Sequence, residues 1–366
     1  MKTYLFSLGH PAHFHMFKHT MRALKDKGHK VLVVVRPKDV LEQLCINEGI
    51  DYQSIGKRPD KGGKLSRAAV VVQRFFAIAK IVRKEKPCML IGSDGVMAYL
   101  GTMFRTPSFE FFDDDYPIIK LYAWMFFPFY TDLVCPNITD AGRWSKKKKT
   151  GYEGYQKLAY LHPNRFTPDK GVVEKYFPAD RPYFLLRFAK LNAHHDGGIG
   201  GINTEVARHL IEMLLPHGDV HITSERPLEP QFEQYRLHIN PSDMHHVLAF
   251  ASLYVGDSQS MAVEAAMLGT PSLRFNDFAG KIGVLEELEH KYKLTFAIPP
   301  SEPQRLYGKI SELLAMPDLR ETFQQRRRKM LSEKIDVAAF FTWFIENYPE
   351  SRKTMKENPD YQWRFK

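Results

Sequence analysis

Cysteine is scarce in this sequence of 366 residues, which contains three: Cys45, Cys88 and Cys135. Three widely spaced cysteines provide neither the framework of a disulfide-rich domain nor the paired spacing of a tetrahedral zinc site. We therefore expect a protein of a reducing compartment, with no structural disulfide and no bound metal.

Long apolar runs are also missing. The most apolar stretch, LYAWMFFPFY at Leu121–Tyr130, is far shorter than the roughly 20 residues needed to span a bilayer, and it contains a proline. The N-terminal MKTYLFSLGHP lacks the pattern of a signal peptide and is interpreted as a first strand. A cytoplasmic protein is expected. The aromatic residues favour a kinked core helix, while peripheral contact with the anionic inner face of a membrane is an alternative.

A net charge of +10 attracts polyanions, among them nucleic acid, anionic membranes and phosphorylated small molecules. The sequence shows neither zinc-finger spacing nor an aromatic RNP motif, and the basic cluster Lys146–Lys149 lies in a stretch typical of a loop. Nucleic acid is therefore not expected as a partner.

Short apolar runs alternate with longer amphipathic ones on both sides of an irregular stretch, Thr139–Ala179. This alternation predicts an α/β protein with two Rossmann-like, doubly wound parallel sheets facing a central cleft. The predicted domains are 1–160, 161–335 and a helical tail, 336–366, that packs on the first domain. The predicted strands are Tyr4–Leu8, Val31–Val35, Tyr52–Ile55, Met89–Ile91, Ser108–Phe112, Leu133–Cys135, Tyr183–Leu186, Val220–Thr223, His238–Ile239, Leu253–Val255 and Pro271–Arg274.

The segment GDSQSMAVEAAMLGTP, Gly256–Pro271, follows a predicted strand and leads into a predicted helix, Ser260–Leu268. The first backbone N–H groups of a helix are unpaired and favour an anion, so the turn is expected to bind phosphate. Its candidate ligand-binding residues are Asp257, Ser258, Gln259 and Ser260. Helix capping by one of them is the alternative.

Glu264 lies one turn inside this otherwise apolar helix. It fits neither a capping box nor an ion pair with its helical neighbours. A carboxylate in such a place needs hydrogen-bond donors. The hydroxyls of a ribose would provide them, and so would a structural partner elsewhere in the fold.

The string GDSQSMAVEAAMLGTPSLR resembles the nucleotide-binding signature of GT-B-fold proteins, a group that includes UDP-N-acetylglucosamine 2-epimerase and the N-acetylglucosaminyltransferase of peptidoglycan synthesis. The resemblance implies that Ser258, Gln259 and Ser260 hold the diphosphate and that Glu264 holds the ribose. Gln259 and Ser260 depart from the Gly or Ala common in those enzymes, which implies a changed phosphate pose.

The first strand ends in SLGHPAHFH, which is not a GxGxxG fingerprint and argues against a dinucleotide enzyme. Four histidines lie close together here: His10, His13, His15 and His19. The nearby sequence has no cysteine or carboxylate that would complete a metal site with them. Gly9 and His10 are candidate substrate-binding residues. The same resemblance implies that His13 is the catalytic base of an inverting transferase; a histidine that serves packing is the alternative.

PAHFHMFKHTMRALKDKGHKVLVVV, the Tyr-x-x-Ile-Gly-Lys at 52–57 and GYQKLAYL at 154–161 also resemble the family called domain of unknown function 354. This similarity extends to Pro271 and so covers most of the chain. It implies the GT-B architecture and no established chemistry.

Other candidates lie where predicted strands end. Asp113 and Asp115, in an acidic run, are candidate catalytic residues, although a solvated loop gives the same pattern. Lys57, Arg187 and Gly200 are candidate substrate-binding residues: the two cations for phosphate, the glycine for close approach of the backbone to a ligand. A solvent-facing lysine and a plain flexible connection are the alternatives for Lys57 and Gly200.

The expected function is that of a nucleotide-sugar-dependent glycosyltransferase in polysaccharide or glycoconjugate synthesis, inverting and independent of metal. A non-hydrolysing UDP-sugar 2-epimerase and a non-catalytic sugar-nucleotide-binding protein are the alternatives. No cofactor is expected beyond the nucleotide-sugar substrate, for which a UDP-sugar is favoured. The acceptor and the oligomeric state are left open.

Overall fold

The computed structural model describes residues 1–38, 40–56, 64–178, 181–189 and 200–366, with the side chains of 64–68 left out. The strands are β1 Thr3–Leu8, β2 Lys30–Val35, β3 Gln53–Ser54, β4 Met89–Gly92, β5 Ser108–Phe111, β6 Asp132–Pro136, β7 Lys149–Tyr152, β8 Tyr183–Phe188, β9 Asp219–Ser224, β10 Leu253–Gly256, β11 Ser272–Phe275 and β12 Thr295–Ile298. The helices are α1 Pro11–Asp26, α2 Leu41–Asn47, α3 Lys64–Glu85, α4 Gly95–Phe104, α5 Lys120–Phe126, α6 Leu158–Leu161, α7 Lys170–Val173, α8 Thr204–Leu214, α9 Met244–Phe250, α10 Gln259–Leu268, α11 Gly283–Glu286, α12 Pro303–Leu314, α13 Leu319–Ser332, α14 Val337–Glu346 and α15 Glu350–Glu357.

The chain folds into two compact units. The first contains residues 1–165 together with 334–366, and the second contains residues 166–333. The chain therefore crosses from one unit to the other twice, and its last helices belong to the unit in which it begins.

The first unit is built on a parallel sheet of seven strands in the order β3-β2-β1-β4-β5-β6-β7. β1 lies between β2 and β4, with Leu8 opposite Val35 and Ser7 opposite Gly92. Because all strands run the same way, the residues that follow β1, β4 and β5 lie at one edge of the sheet.

The edge strand β7 lies inside the stretch interpreted as irregular, so that interpretation is wrong here. The strand pairs with β6, with Leu133 opposite Lys149. Lys149 donates to the carbonyl oxygens of Asn137 at 2.9 Å and Thr139 at 2.6 Å. Four residues carry too little periodicity to be recognised, and the pairing depends on a distant strand.

The C-terminal helices complete the core of the first unit. Phe341 of α14 is fully buried, and its ring lies 4.8 Å from that of Phe111 and 5.3 Å from that of Tyr152. Phe17 of α1 contacts the same ring at 6.3 Å. The apolar sequence VAAFFTWFIE of α14 thus covers one face of the seven-stranded sheet.

The second unit is built on a parallel sheet of five strands in the order β12-β11-β10-β8-β9. The predicted strand His238–Ile239 is wrong, since this region contributes only one isolated bridge, Ile222 with Arg236. Asn240 instead accepts a hydrogen bond from the Ser242 amide at 3.0 Å and begins a turn. Strand β12 was not recognised in the sequence.

The aromatic run does not form the predicted core helix. Ala123, Phe127 and Tyr130 are buried, but Trp124 and Phe129 are exposed. Helix α5 has seven residues and turns only one face to the sheet, which is why its other apolar side chains remain in water. None of the helices described is long and apolar enough to cross a bilayer.

Candidate functional site

The turn between β10 and α10 has the geometry of an anion site. Ser258 is the N-cap, and its hydroxyl accepts a long hydrogen bond of 3.5 Å from the Met261 amide. The helix begins at Gln259, one residue before the predicted start. It ends at Gly269 as predicted, in the left-handed conformation with φ 73°. The first amides of α10 thus point out of the helix toward the turn.

The side-chain oxygen of Gln259 is a hydrogen-bond acceptor for which the described residues supply no donor. This Oε1 atom is buried. Ser260, beside it, is half-buried. A buried acceptor that lacks a donor is costly unless a ligand or water satisfies it. Ribose or sugar hydroxyls have the required chemistry.

Asp257 holds the turn to its neighbouring strands. Its Oδ1 atom accepts from the Ala189 amide, just after β8, at 2.5 Å. Its carbonyl oxygen accepts from Asn276 Nδ2, just after β11, at 3.1 Å. Burial, partly offset by the Ala189 hydrogen bond, raises the pKa of the Asp257 carboxyl to about 6. Asp257, which the sequence predicts to bind substrate, therefore also holds the turn in place.

A dependence of stability on pH follows from the raised pKa of Asp257. The unfolded group titrates near 3.8 and the folded one near 6, so its stabilising contribution is full below pH 4 and is lost as the pH rises through 6. The loss is roughly 3 kcal/mol of the free energy of unfolding of the second unit. Urea unfolding between pH 4 and 7 checks this. Asp257→Asn is expected to flatten the pH dependence; equal slopes for both proteins would contradict it.

Glu264 has a structural partner. It is buried, and its Oε1 atom lies 3.3 Å from Nε2 of His245, a buried histidine of α9. The pattern of α10 could not reveal this contact, because the two helices meet only in the folded unit. His245 therefore holds one edge of the carboxylate that the resemblance assigns to ribose.

Arg187 lies beside the turn but already has partners. Its Nη1 atom donates to Thr223 Oγ1 at 2.7 Å, and its Nη2 atom forms an ion pair with Glu225. Its Nε atom is buried and has no hydrogen-bond acceptor among the described residues. A Cβ atom on Gly256, its neighbour across the sheet, would lie 2.8 Å from Arg187 Cβ, so a glycine is needed there.

A cavity of about 650 Å³ in the second unit is lined by residues of α8 and α12 and by Phe275 at the end of β11. Its lining includes Gly200, Asn203, Phe275, Pro300 and Tyr307. Gly200 donates its amide to Asp277 and contacts Pro300 so closely that a Cβ atom would lie 2.8 Å from the proline ring. The volume falls within the range typical of small-molecule sites.

Arg274 was not recognised in the sequence. It is fully buried in β11, opposite Gly256, and donates to Glu289 Oε2 at 2.8 Å. Burial lowers the pKa of its guanidinium. An arginine within a short, otherwise apolar or small-residue strand, SLRF, is the sequence signal that could have singled it out.

In the first unit, Gly9, His10 and His13 form one local structure. His10 is the N-cap of α1, and its Nδ1 atom accepts from the Ala12 amide at 3.1 Å. The Gly9 amide donates to His13 Nδ1 at 3.3 Å, and the Gly9 carbonyl accepts from Arg36 at 3.2 Å. His10 thus has a capping role that the sequence had not assigned to it.

His13 is held neutral. Burial, followed by the positive charges of His10, Arg36 and Lys157, lowers its pKa to about 3. Because Nδ1 accepts the Gly9 N–H, the single proton of the neutral ring lies on Nε2. In this arrangement His13 offers a hydrogen-bond donor to a ligand, and action as a base would require the other tautomer.

Asp113 and Asp115 have different surroundings. Lys157 donates to Asp113 Oδ2 at 2.7 Å. Asp115 is buried and accepts from the Asp140 amide at 2.6 Å, which fixes the loop after β5. Asp114 is exposed, and loss of hydration beside Asp113, followed by the charge of Asp113, raises the pKa of its carboxyl. Lys157, which the sequence analysis did not select, joins Asp113 near His13.

Lys57 lies outside the described residues. Of the other histidines in the segment 10–19, His10 caps α1, and the ring of His15 lies 5.1 Å from that of Tyr160. Within the described ranges, no group of three His, Cys, Asp or Glu side chains could hold a metal ion.

Solved structures with these two sheets identify the fold. Staphylococcus aureus MnaA, solved with UDP, matches with a TM-score of 0.67 at 13% identity over 96% of this chain and 98% of that one. The chain has the GT-B fold. The Neisseria meningitidis UDP-GlcNAc 2-epimerase bound to UDP-GlcNAc matches with a TM-score of 0.64 at 13% identity over 96% and 100% of the two chains. The spinosyn rhamnosyltransferase SpnG with spinosyn aglycone matches with 0.60 at 13% identity over 95% and 100%.

No family model matches this GT-B chain, and no curated protein matches its sequence significantly. At these identities the likeness shows the fold, which transferases and epimerases share. Function is therefore argued from the site.

Proposed function

We propose that this protein is a nucleotide-sugar-dependent glycosyltransferase, inverting and independent of metal, with a UDP-sugar as the favoured donor. The observation that carries the proposal is the start of α10: outward amides at a Ser258 cap, a buried Gln259 oxygen without a described donor, and Glu264 one turn inside. A diphosphate suits the amides, and the hydroxyls of the ligand suit the oxygen atoms.

The second unit binds the donor in this proposal. Gly200 and Phe275 line the cavity of this unit, and Asn276, which follows Phe275, donates to the carbonyl oxygen of Asp257 in the turn. Arg187 can turn from Glu225 toward a phosphate, since a guanidinium binds phosphate through two hydrogen bonds. The helix N-terminus and this arginine stabilise the leaving diphosphate without a metal.

The first unit binds the acceptor. His13, Asp113 and Lys157 belong to one electrostatic cluster at the carboxyl edge of its sheet. A hydroxyl bound there would find a donor in His13 and an acceptor in Asp113. Orientation of the two substrates and stabilisation of charge then supply most of the rate. The finer resemblance to domain of unknown function 354 remains a prediction.

An epimerase is the second candidate function, and the state of His13 favours it. A neutral histidine that donates through Nε2 is poorly prepared to remove a proton from an acceptor. Asp114 is an exposed carboxyl beside Asp113, and its raised pKa brings it nearer to that of an acid–base group at neutral pH. An epimerase needs such carboxyl groups and no acceptor.

A panel of UDP-, GDP-, CMP- and TDP-sugars separates these functions. Binding is measured first by thermal shift, and products are then followed by mass and by chromatography of the sugar. Release of nucleoside diphosphate that requires an acceptor supports the transferase, and an isomerised sugar without an acceptor supports the epimerase. Binding without turnover would contradict both and indicate a binding protein. Failure of every nucleotide to bind would overturn the site itself.

Glu264→Ala is expected to weaken binding of the nucleotide that the panel selects by about 1.5–3 kcal/mol, roughly tenfold or more, because a hydrogen bond to a charged group is lost. Titration calorimetry measures the change. Glu264→Gln is the matched control, since it keeps the size and one acceptor and should lose less. Wild-type affinity in a folded Ala variant would remove Glu264 from the ribose site.

A further inference from the structure

The α4–α5 face of the first unit leaves large apolar side chains in water. Leu121, Trp124 and Met125 of α5, Met103 of α4 and Phe129 after α5 are between 42 and 75% exposed. Isolated apolar residues on a surface are ordinary, but four on two adjacent helices, with Phe129 beside them, form a patch of the kind that marks an interaction site.

The patch is held together by specific contacts. The Tyr99 ring of α4 lies 4.9 Å from that of Phe129, and its hydroxyl donates to the Met125 carbonyl at 3.2 Å. Thr102 Oγ1 donates to the Phe129 carbonyl at 3.3 Å. These contacts attach the end of α5 and the residues that follow it to α4.

Cations border the patch. The Arg143 guanidinium lies 3.7 Å from the centre of the Trp124 ring. Lys148 donates to the carbonyls of Pro128 and Tyr130, both at 2.6 Å, so the segment 142–149, GRWSKKKK, is attached directly to the aromatic loop. Lys146 and Lys147 of that segment are exposed. Neither α4, α5 nor this segment contains an Asp or Glu.

We propose that this α4–α5 face docks on an anionic lipid bilayer. Trp, Phe, Leu and Met side chains enter the boundary between headgroups and acyl chains, while neighbouring Lys and Arg residues attract anionic headgroups. A second copy of the chain fits less well. A two-fold contact through this face would place its cations against their own copies.

Vesicle sedimentation of the full chain tests the proposal. We expect binding to vesicles of phosphatidylcholine mixed with phosphatidylglycerol, weakened by salt, and little binding to phosphatidylcholine alone. Leu121→Gln with Met125→Gln should lower the partition coefficient at least roughly tenfold, because two apolar side chains no longer enter the lipid. Both residues are exposed, so the fold is expected to persist.

Ile46→Gln is the matched control, since Ile46 is an exposed apolar residue on α2 of the same unit. Lys146→Gln with Lys147→Gln removes the charge alone and should abolish the preference for anionic vesicles. Equal binding to both vesicle types, an unaffected Leu121/Met125 variant or an equal loss with Ile46→Gln would overturn the proposal. So would a dimer, seen by light scattering, that the Leu121/Met125 variant abolishes. None of these outcomes bears on the proposed transfer reaction.

Discussion

Alanine at His13 is expected to lower turnover of the nucleotide sugar by roughly 10²- to 10⁴-fold, the usual contribution of a positioned proton donor or acceptor. Nucleotide affinity should stay at the wild-type value, because His13 lies in the first unit and the α10 turn in the second. Steady-state kinetics with the substrate found in the panel, together with titration calorimetry, check both halves. Wild-type turnover in a folded variant would remove His13 from the reaction.

Glutamine at His13 distinguishes the two chemical roles. It supplies an N–H donor but no base, so it should restore part of the activity if His13 acts through Nε2–H, and none if His13 removes a proton. The low pKa of His13, about 3, adds a second test. An activity loss below pH 6 should persist in this variant, because His13 does not titrate in that range.

Phe341→Ala is expected to lower the free energy of unfolding of the first unit by about 3–5 kcal/mol, since it leaves a cavity among Phe17, Phe111 and Tyr152. Chemical unfolding should show the transition of the first unit at lower denaturant and that of the second unit unchanged.

Phe341→Leu is the control, and it should cost less because part of the volume is kept. An unchanged first transition, or an equal shift of both transitions, would show that α14 does not belong to the core of the first unit.

Most of the fold could be predicted because periodicity is a local property of the chain. Tyr4–Leu8 and Val31–Val35 are apolar runs next to amphipathic helices, and they appear as parts of β1 and β2. β7 could not be recognised, since its four residues become a strand by pairing with β6. The prediction of a core helix at Leu121–Tyr130 was wrong for a different reason. Apolar composition does not determine which face of a helix packs against the rest of the fold and which face stays in water.

The candidate site divides in the same way. The cap at Ser258 and the left-handed end at Gly269 depend on a few consecutive residues, so the sequence alone determined where α10 begins, within one residue, and where it ends. The resemblance pointed to Glu264 and His13 as the residues for ribose and acceptor, and both remain predictions.

Only the tertiary structure decided what surrounds those residues. His245 reaches Glu264 from another helix, and Ala189, just after β8, donates its amide to Asp257. The pKa of His13 depends on the burial and the charges that the folded unit brings around it. Helix ends follow from neighbours in sequence, whereas hydrogen-bond partners, burial and charge follow from neighbours in space.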